Sequence, residues 1–366
     1  MNHLELFAGI GGFRKAIDLI NKDCLIKFNH IGFSEIDKNA IKTYKANFST
    51  ENELELGDIV SFTEDKSNID NLPKIDLITG GFPCQAFSVM GKQNGFEDER
   101  GQLFFRIMDI VKKKKPNYLL LENVKNLLNH DRKRTFKVIE STLKNAGYDI
   151  YADIFNTKDF GLPQNRNRVI IFASKEPIDY EFKSFASDVK KHFEQNCSSM
   201  SIYIYKNVLD ILSKEVPPKY YLSEKIKPTI LSDGSAGFKS KSEINQLIAR
   251  PLTATMHKMH RACQDNYYSK DFIDSNGIVN HVLDFTKDQL CKLPIRKLTP
   301  KEAMMLQGFP SDFAFKSQLC GVADGSLYKQ AGNAVSVNTI YAVLHYLIEK
   351  NIIKENGKSN SKNYKS

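Results

Sequence analysis

Five short apolar runs constrain the fold more than any other feature of this chain. His3–Phe7, His30–Ser34, Ile75–Thr79, Tyr118–Leu121 and Val169–Ala173 are each four or five residues long and end at glycine, proline, charge or a polar turn. Val169–Ala173 (VIIFA) carries no polar residue at all, the mark of a strand covered on both faces. Helical spacing fills the gaps between runs. Phe13, Ile17 and Ile20 fall on one face of Phe13–Asn21, and Asp37 stands as an N-cap before the helical pattern of Asp37–Phe48. Doubly covered strands alternating with helices predict an α/β fold around a doubly wound, mostly parallel sheet.

That rhythm stops after Ser174. From Lys175 to Ile295 the chain is richer in Ser, Lys, Asn and Tyr, and helical periodicity returns only in Thr299–Gln307 and Ser336–Ile348. A length of 366 residues at ~150 per domain gives two domains. The irregular stretch reads as a second, smaller domain, and residues 351–366 as a flexible tail. A hydrophobic fraction of 41% is too high for disorder. No apolar run nears the ~18–20 residues of a membrane span, and Met1–Gly12 lacks the pattern of a secretory leader. The six cysteines (Cys24, Cys84, Cys197, Cys263, Cys291, Cys320) include no C-x-x-C pair, so neither a zinc site nor a redox pair is expected. These features predict a cytoplasmic protein with reduced thiols, no bound metal and no membrane attachment. The net charge of +9 suggests an anionic partner.

Phe7-Ala8-Gly9-Ile10-Gly11-Gly12 is a glycine-rich turn between a strand and a helix, where a ligand can approach the backbone. Glu35 ends the second strand, placed to accept ribose hydroxyls, and Asp58 follows a third strand, placed against an adenine edge. Together they describe a cofactor containing a nucleoside, without separating NAD from S-adenosylmethionine. Cys84, in Gly81-Phe82-Pro83-Cys84-Gln85-Ala86-Phe87-Ser88, follows the strand Ile75–Thr79. It stands on a turn at the carboxyl end of a parallel strand, where ligands bind.

In order along the chain, FAGIGGFR at Phe7–Arg14, GFPCQAFS at Gly81–Ser88 and GFEDERGQLFF at Gly95–Phe105 are followed by Glu122-Asn123-Val124 and by Gln164-Asn165-Arg166-Asn167-Arg168. Arg296-Lys297-Leu298-Thr299 with Glu302 and Gln330-Ala331-Gly332-Asn333-Ala334-Val335-Ser336 complete the series. This ordered set resembles the DNA (cytosine-5)-methyltransferases of bacterial restriction–modification systems. The resemblance implies the S-adenosylmethionine-dependent methyltransferase fold. It also implies a discontinuous catalytic domain of residues 1–175 and 322–350, with a target-recognition domain and hinge at 176–321.

The resemblance further implies S-adenosylmethionine as cofactor, held by Phe7, Gly9, Gly11, Gly12, Glu35, Asp58, Ile59, Leu103 and Asn333. The reaction it implies needs a thiolate, because C5 of cytosine is a poor nucleophile until a nucleophile adds at C6. Cys84 is that nucleophile, and Glu122 is the acid at N3, its pKa expected to be raised by burial. Arg168 is expected on the base oxygen and the Glu122 carboxylate; Arg166 is expected to support the thiolate or the backbone. No residue stands out as the base that removes the C5 proton.

The target atom lies inside a duplex, so the cytosine must be flipped out. Ser88–Arg100 fits a loop closing over it, with Ser88 and Arg100 as DNA contacts. Sequence readout falls to Ser232–Ser242 and Arg250–Arg261, the latter offering Thr253, Thr255, His257, Lys258 and Arg261. The expected partner is double-stranded DNA, with a cognate endonuclease acting on the same site and a monomeric enzyme. A transfer-RNA methylase of the same superfamily is disfavoured because it would carry a Pro-Pro-Cys turn and a Cys-Phe-Thr element, both absent here. A catalytically silent homologue would have lost Cys84, Glu122 or Arg168. An NAD oxidoreductase would leave Cys84 without a role.

Overall fold

The computed structural model describes residues 1–83, 102–178, 180, 182–235 and 238–355. Cys84, Ser88, Arg100 and the Ser88–Arg100 loop lie outside the described residues. Seven strands, β1 (Asn2–Leu6), β2 (Asn29–Phe33), β3 (Leu54–Glu55), β4 (Leu77–Gly81), β5 (Tyr118–Val124), β6 (Asp149–Asn156) and β7 (Asn167–Ser174), form one sheet in the order β3-β2-β1-β4-β5-β7-β6. The pairs β2–β3, β1–β2, β1–β4 and β4–β5 are parallel. The mostly parallel sheet is therefore as expected, with one exception: Val169–Ala173 lies in β7, which runs antiparallel to both β5 and β6. Between β6 and β7 stand only the short 3-10 turn Thr157–Phe160 and an extended segment. A connection without a helical crossover returns the chain antiparallel. The sequence pattern also misses β6 (DIYADIFN), whose half-buried residues give no apolar run.

Successive residues of the central strands feed opposite faces of the sheet. Leu4, Leu6, Ile78, Leu119, Leu121 and Ile171 pack with Ile107, Met108, Ile139 and Leu143. These last four come from α5 (Gln102–Lys114) and α6 (Arg134–Asn145). On the other face, Leu77, Leu120, Ile170 and Phe172 share a core with Ile17 and Ile20 of α1 (Gly12–Asp23) and with Val343 and Leu344 of helix Val337–Glu349. Phe185, Val189 and Phe193 of helix Phe185–Asn196 join the same core. A separate, smaller core of Leu222, Ile230, Leu231, Ile244, Ala262, Tyr267, Leu290 and Ile295 lies within the irregular stretch. The chain stays packed beyond 351, because the apolar pair Ile352 and Ile353 is buried against the main core. Among the described residues no helix is long and apolar enough to cross a membrane.

α2 (Lys38–Asn47) begins as its sequence predicts, with the Asp37 carboxylate accepting from the amides of Asn39 and Ala40. Beneath the glycine-rich turn lies a buried carboxyl, Glu5 of β1, only 1% exposed. The Tyr44 hydroxyl donates to it at 3.1 Å and the Arg14 amide at 3.4 Å. Burial pushes its pKa from 4.5 up to about 8, against the opposing pull of Tyr44 and Arg14. A carboxyl that holds its proton longer in the fold than in the unfolded chain favours folding fully below pH 4.5. That advantage declines as pH rises towards 8, at about 1.4 kcal/mol per pH unit at full effect. Glu5→Gln, which cannot ionise, should therefore lose less thermal stability than the unsubstituted protein between pH 6 and pH 8. Parallel melting profiles across that range would remove Glu5 as the cause.

Candidate active site

The carboxyl ends of β1, β2, β4 and β5 open onto a crevice of about 1070 Å³. Phe7, Gly9, Ile10, Glu35, Asp58, Ile59 and Leu103 line one part of it, and Gly81–Pro83, Glu122–Val124, Arg166 and Arg168 another. Such crevices at strand carboxyl ends are where open α/β sheets bind ligands. Phe7 holds a φ of 53° and Gly9 a φ of 55°, so the chain turns sharply as it leaves β1. A Cβ at Gly9 would meet nothing within 4 Å, which leaves its backbone open to the crevice. The Glu35 carboxylate bridges two loops: Oε2 accepts from the Gly9 amide at 2.7 Å, and Oε1 from the amides of Ile36 and Asp37 at 2.8 Å each. Asp58 caps α3 (Ile59–Glu64), accepting from the Val60 amide at 3.0 Å, while its side chain stays exposed on the crevice wall.

Gly11 and Gly12 do not face this space. A Cβ at Gly11, whose φ is 82°, would stand 2.5 Å from the Phe48 ring, and one at Gly12 would stand 2.5 Å from Val335 Cγ1. Both glycines pack closely against neighbours of α1, and neither is among the residues lining the crevice.

At the other part of the crevice, Arg168 Nε lies 2.8 Å from Glu122 Oε1. The two form a close ion pair. Burial raises the Glu122 pKa, and the charges of Arg168 and Arg166 oppose the rise. Glu122 Oε2 also faces β4, 3.2 Å from where a Cβ on Gly81 would stand. Asn123 Nδ2 donates to Phe82 O at 2.8 Å, tying β5 to the chain two residues before Cys84.

Arg166 is 1% exposed and binds backbone. Its Nη1 donates to Leu252 O at 2.9 Å, and its Nη2 to Gly332 O and Ala334 O at 3.0 Å each. Burial and the like charge of Arg168 press its pKa down, yet three carbonyl acceptors hold the guanidinium charged. One side chain thus joins three distant segments, including the one that carries Asn333 into the crevice. The same helix, Asp324–Asn333, is tied to the mouth elsewhere. Lys329 Nζ bonds Asp37 Oδ2 at 2.7 Å, and Thr43 Oγ1 donates to Gln330 Oε1 at 2.9 Å.

Residues 1–349 match the family described as C-5 cytosine-specific DNA methylase. The chain belongs to this family. The methylase is 37% identical over 346 residues to the type II methyltransferase M1.ScrFI of Lactococcus lactis subsp. cremoris, covering 94% of this chain and 77% of that one. It is 34% identical over 371 residues to the type II methyltransferase M.HpaII of Haemophilus parainfluenzae, covering 95% and 89%. Its fold is similar to that of the S. pombe Dnmt2 methyltransferase, with a TM-score of 0.72 at 20% identity, covering 97% and 100%. The seven-stranded sheet is thus the sheet of S-adenosylmethionine-dependent methyltransferases.

A second cleft of the methylase gathers only part of the expected DNA-reading set. Thr253 and Thr255 line it with Arg250, His260 and Gln264, whereas His257, Lys258 and Arg261 stand outside that lining. Thr253 Oγ1 is buried without a hydrogen-bond partner among the described residues. Sequence reasoning missed His130, Lys329 and Gln330 in the main crevice. Lys329 and Gln330 adjoin the Asn333 block and were within its reach. His130 follows no periodic signal, since left-handed Asp131, Arg132 and Lys133 carry the chain past it.

Proposed function

We propose that this DNA (cytosine-5)-methyltransferase methylates a cytosine flipped out of a specific short site in double-stranded DNA, through a covalent bond between Cys84 and C6. The observation that carries the reading is the Glu122–Arg168 pair at the carboxyl end of β5, beside the end of the strand that leads to Cys84. The crevice suits S-adenosylmethionine. Gly9 leaves its backbone open, Glu35 presents a fixed carboxylate for a ribose, and Phe7, Asp58, Ile59, Leu103 and Asn333 line the same space. When bound, that cofactor supplies an electrophilic methyl group.

The Cys84 thiolate adds to C6, and the electron pair released makes C5 a nucleophile able to take the methyl group. Charge developing on the ring is met at N3 by protonated Glu122, which burial keeps ready as a donor. Arg168 orients Glu122 and takes the base oxygen, while Arg166 holds the backbone around the site. Loss of the C5 proton then expels Cys84 and restores the ring. Residues 1–175 with 322–350 form the catalytic unit and 176–321 the target-recognition part; the separate core around Tyr267 supports that division. Thr253 and Thr255, beside Arg250, are placed to meet DNA, with Ser88, Arg100, His257, Lys258 and Arg261 as further contacts. The enzyme acts as a monomer, and its product protects host DNA from an endonuclease cutting the same site.

The test is transfer of a tritiated methyl group to C5 of cytosine in a panel of duplex DNAs, with transfer RNA as the competing substrate. Labelling of transfer RNA alone would overturn the reading. In the same assay Glu122→Gln, which keeps the shape but loses the acid, should lower kcat by about 10²–10⁴. Unchanged kcat in Glu122→Gln would remove it from proton donation.

A further inference from the structure

Away from the crevice, three side chains with metal-ligand chemistry converge from opposite ends of the chain. Cys24 terminates α1, and His345 and Glu349 stand four residues apart on helix Val337–Glu349. One ligand atom from each lies within 4.8 Å of the others. The fold makes this meeting unavoidable: α1 packs along helix Val337–Glu349, and i, i+4 spacing turns His345 and Glu349 to one side. A thiol, an imidazole and a carboxylate are a zinc ligand set.

The surroundings fit a cation. Cys24 is only 6% exposed, yet its neighbours include ionisable groups rather than hydrocarbon alone. Burial, with the negative charges of Glu349 and Asp23, pushes its thiol up to about 11. Lys27, which donates to Cys24 O at 2.8 Å, opposes that rise but does not cancel it. A divalent cation among these groups reverses the balance, because it binds the thiolate and neutralises the carboxylate. His345 Nδ1 lies 2.9 Å from His192 Nε2, a hydrogen bond that fixes the ring and assigns ligation to Nε2. Asp23 is already engaged by Ser201 and Tyr341.

We propose that Cys24 Sγ, His345 Nε2 and a Glu349 carboxylate oxygen bind one Zn²⁺, with water completing the tetrahedron. The ion clamps α1 to helix Val337–Glu349 and takes no part in methyl transfer. With three protein ligands the site exchanges its metal, so chelator strips it and added metal refills it.

The test uses the full-length chain in a Cys84→Ala background, so that the Cys84 thiol cannot contribute, after treatment with EDTA, and the Cys24→Ser variant separates Cys24 from the remaining free cysteines. Titration with Co²⁺ should give one equivalent of visible d–d absorption with a near-ultraviolet thiolate band, displaced by Zn²⁺. Added Zn²⁺ should raise Tm by about 2–4 °C. Cys24→Ser should abolish the thiolate band. Glu349→Gln, at an exposed position that does not threaten folding, should weaken Co²⁺ binding by about 10–100-fold. Absence of the band in the Cys84→Ala protein, or a band and affinity unchanged in either further variant, would overturn the site.

Discussion

Cys84→Ala should lower methylation of duplex DNA by at least ~1000-fold while leaving DNA binding intact. Removing the nucleophile of a covalent mechanism leaves only what binding and orientation supply, and such losses reach several orders of magnitude. On the proposed route, alanine removes the sulfur that would add to C6, so C5 is not activated to take the methyl group. Among the described residues of the crevice, no thiol replaces it. In the proposed arrangement Glu122 and Arg168 meet the far edge of the base, and Arg166 is spent on three backbone carbonyls. The measurement is single-turnover methyl transfer beside a DNA mobility-shift assay. A duplex bearing 5-fluorocytosine adds an independent readout. Fluorine at C5 cannot leave as the proton does, so the unsubstituted enzyme should remain bonded to it on a denaturing gel, and Cys84→Ala should not. Activity within tenfold of the unsubstituted enzyme would sink the covalent route.

Among the described glycines, Gly332→Ala should be the most damaging alanine substitution. A Cβ there would stand 2.2 Å from Thr253 C, 2.3 Å from Ala254 N and 2.4 Å from Thr253 O. These are backbone atoms, which cannot rotate aside as a side chain does. The segment around Thr253 must therefore move away from helix Asp324–Asn333, and Arg166 then loses Leu252 O or Gly332 O. Overpacking of this kind costs about 3 kcal/mol at the upper end, a fall in Tm of roughly 4 °C for a chain of this size. Because Asn333 follows directly, binding of S-adenosylmethionine should weaken as well. Gly325→Ala in the same helix is the control, since a Cβ there meets nothing within 4 Å. It should be neutral or slightly stabilising. Equal Tm values for the two variants would show that the junction yields freely.

The sheet was legible because its central strands are covered on both faces, and β1, β2, β4, β5 and β7 each leave an apolar run. The direction of β7 was not legible. It depends on the connection from β6, and β6 is an edge strand whose half-buried residues leave no periodic trace. The crevice was legible where its residues cluster in short blocks, as at Phe7–Gly12 and Glu122–Val124. Within a block, the sequence does not separate a glycine that admits a ligand from one that admits a neighbouring helix. Gly9 is open to the crevice, whereas Gly11, Gly12 and Gly332 are packed against Phe48, Val335 and the backbone of Thr253. Arg166 and Arg168 stand two residues apart with identical chemistry, yet one is sealed among carbonyls and the other pairs with Glu122. The convergence of Cys24 with His345 and Glu349 was invisible for another reason. Local spacing cannot report on ligands drawn from the two ends of a chain.

Helix Val337–Glu349 covers Ile17 and Ile20 of α1, and the segment just before it supplies Asn333 to the crevice. On the ribosome these parts emerge well after residues 84–168, which hold the proposed catalytic groups. Until they arrive, α1 has an uncovered apolar face and the crevice lacks one wall. On the proposed route, a nascent chain that already carries Cys84, Glu122 and Arg168 should methylate no DNA until this segment has been made.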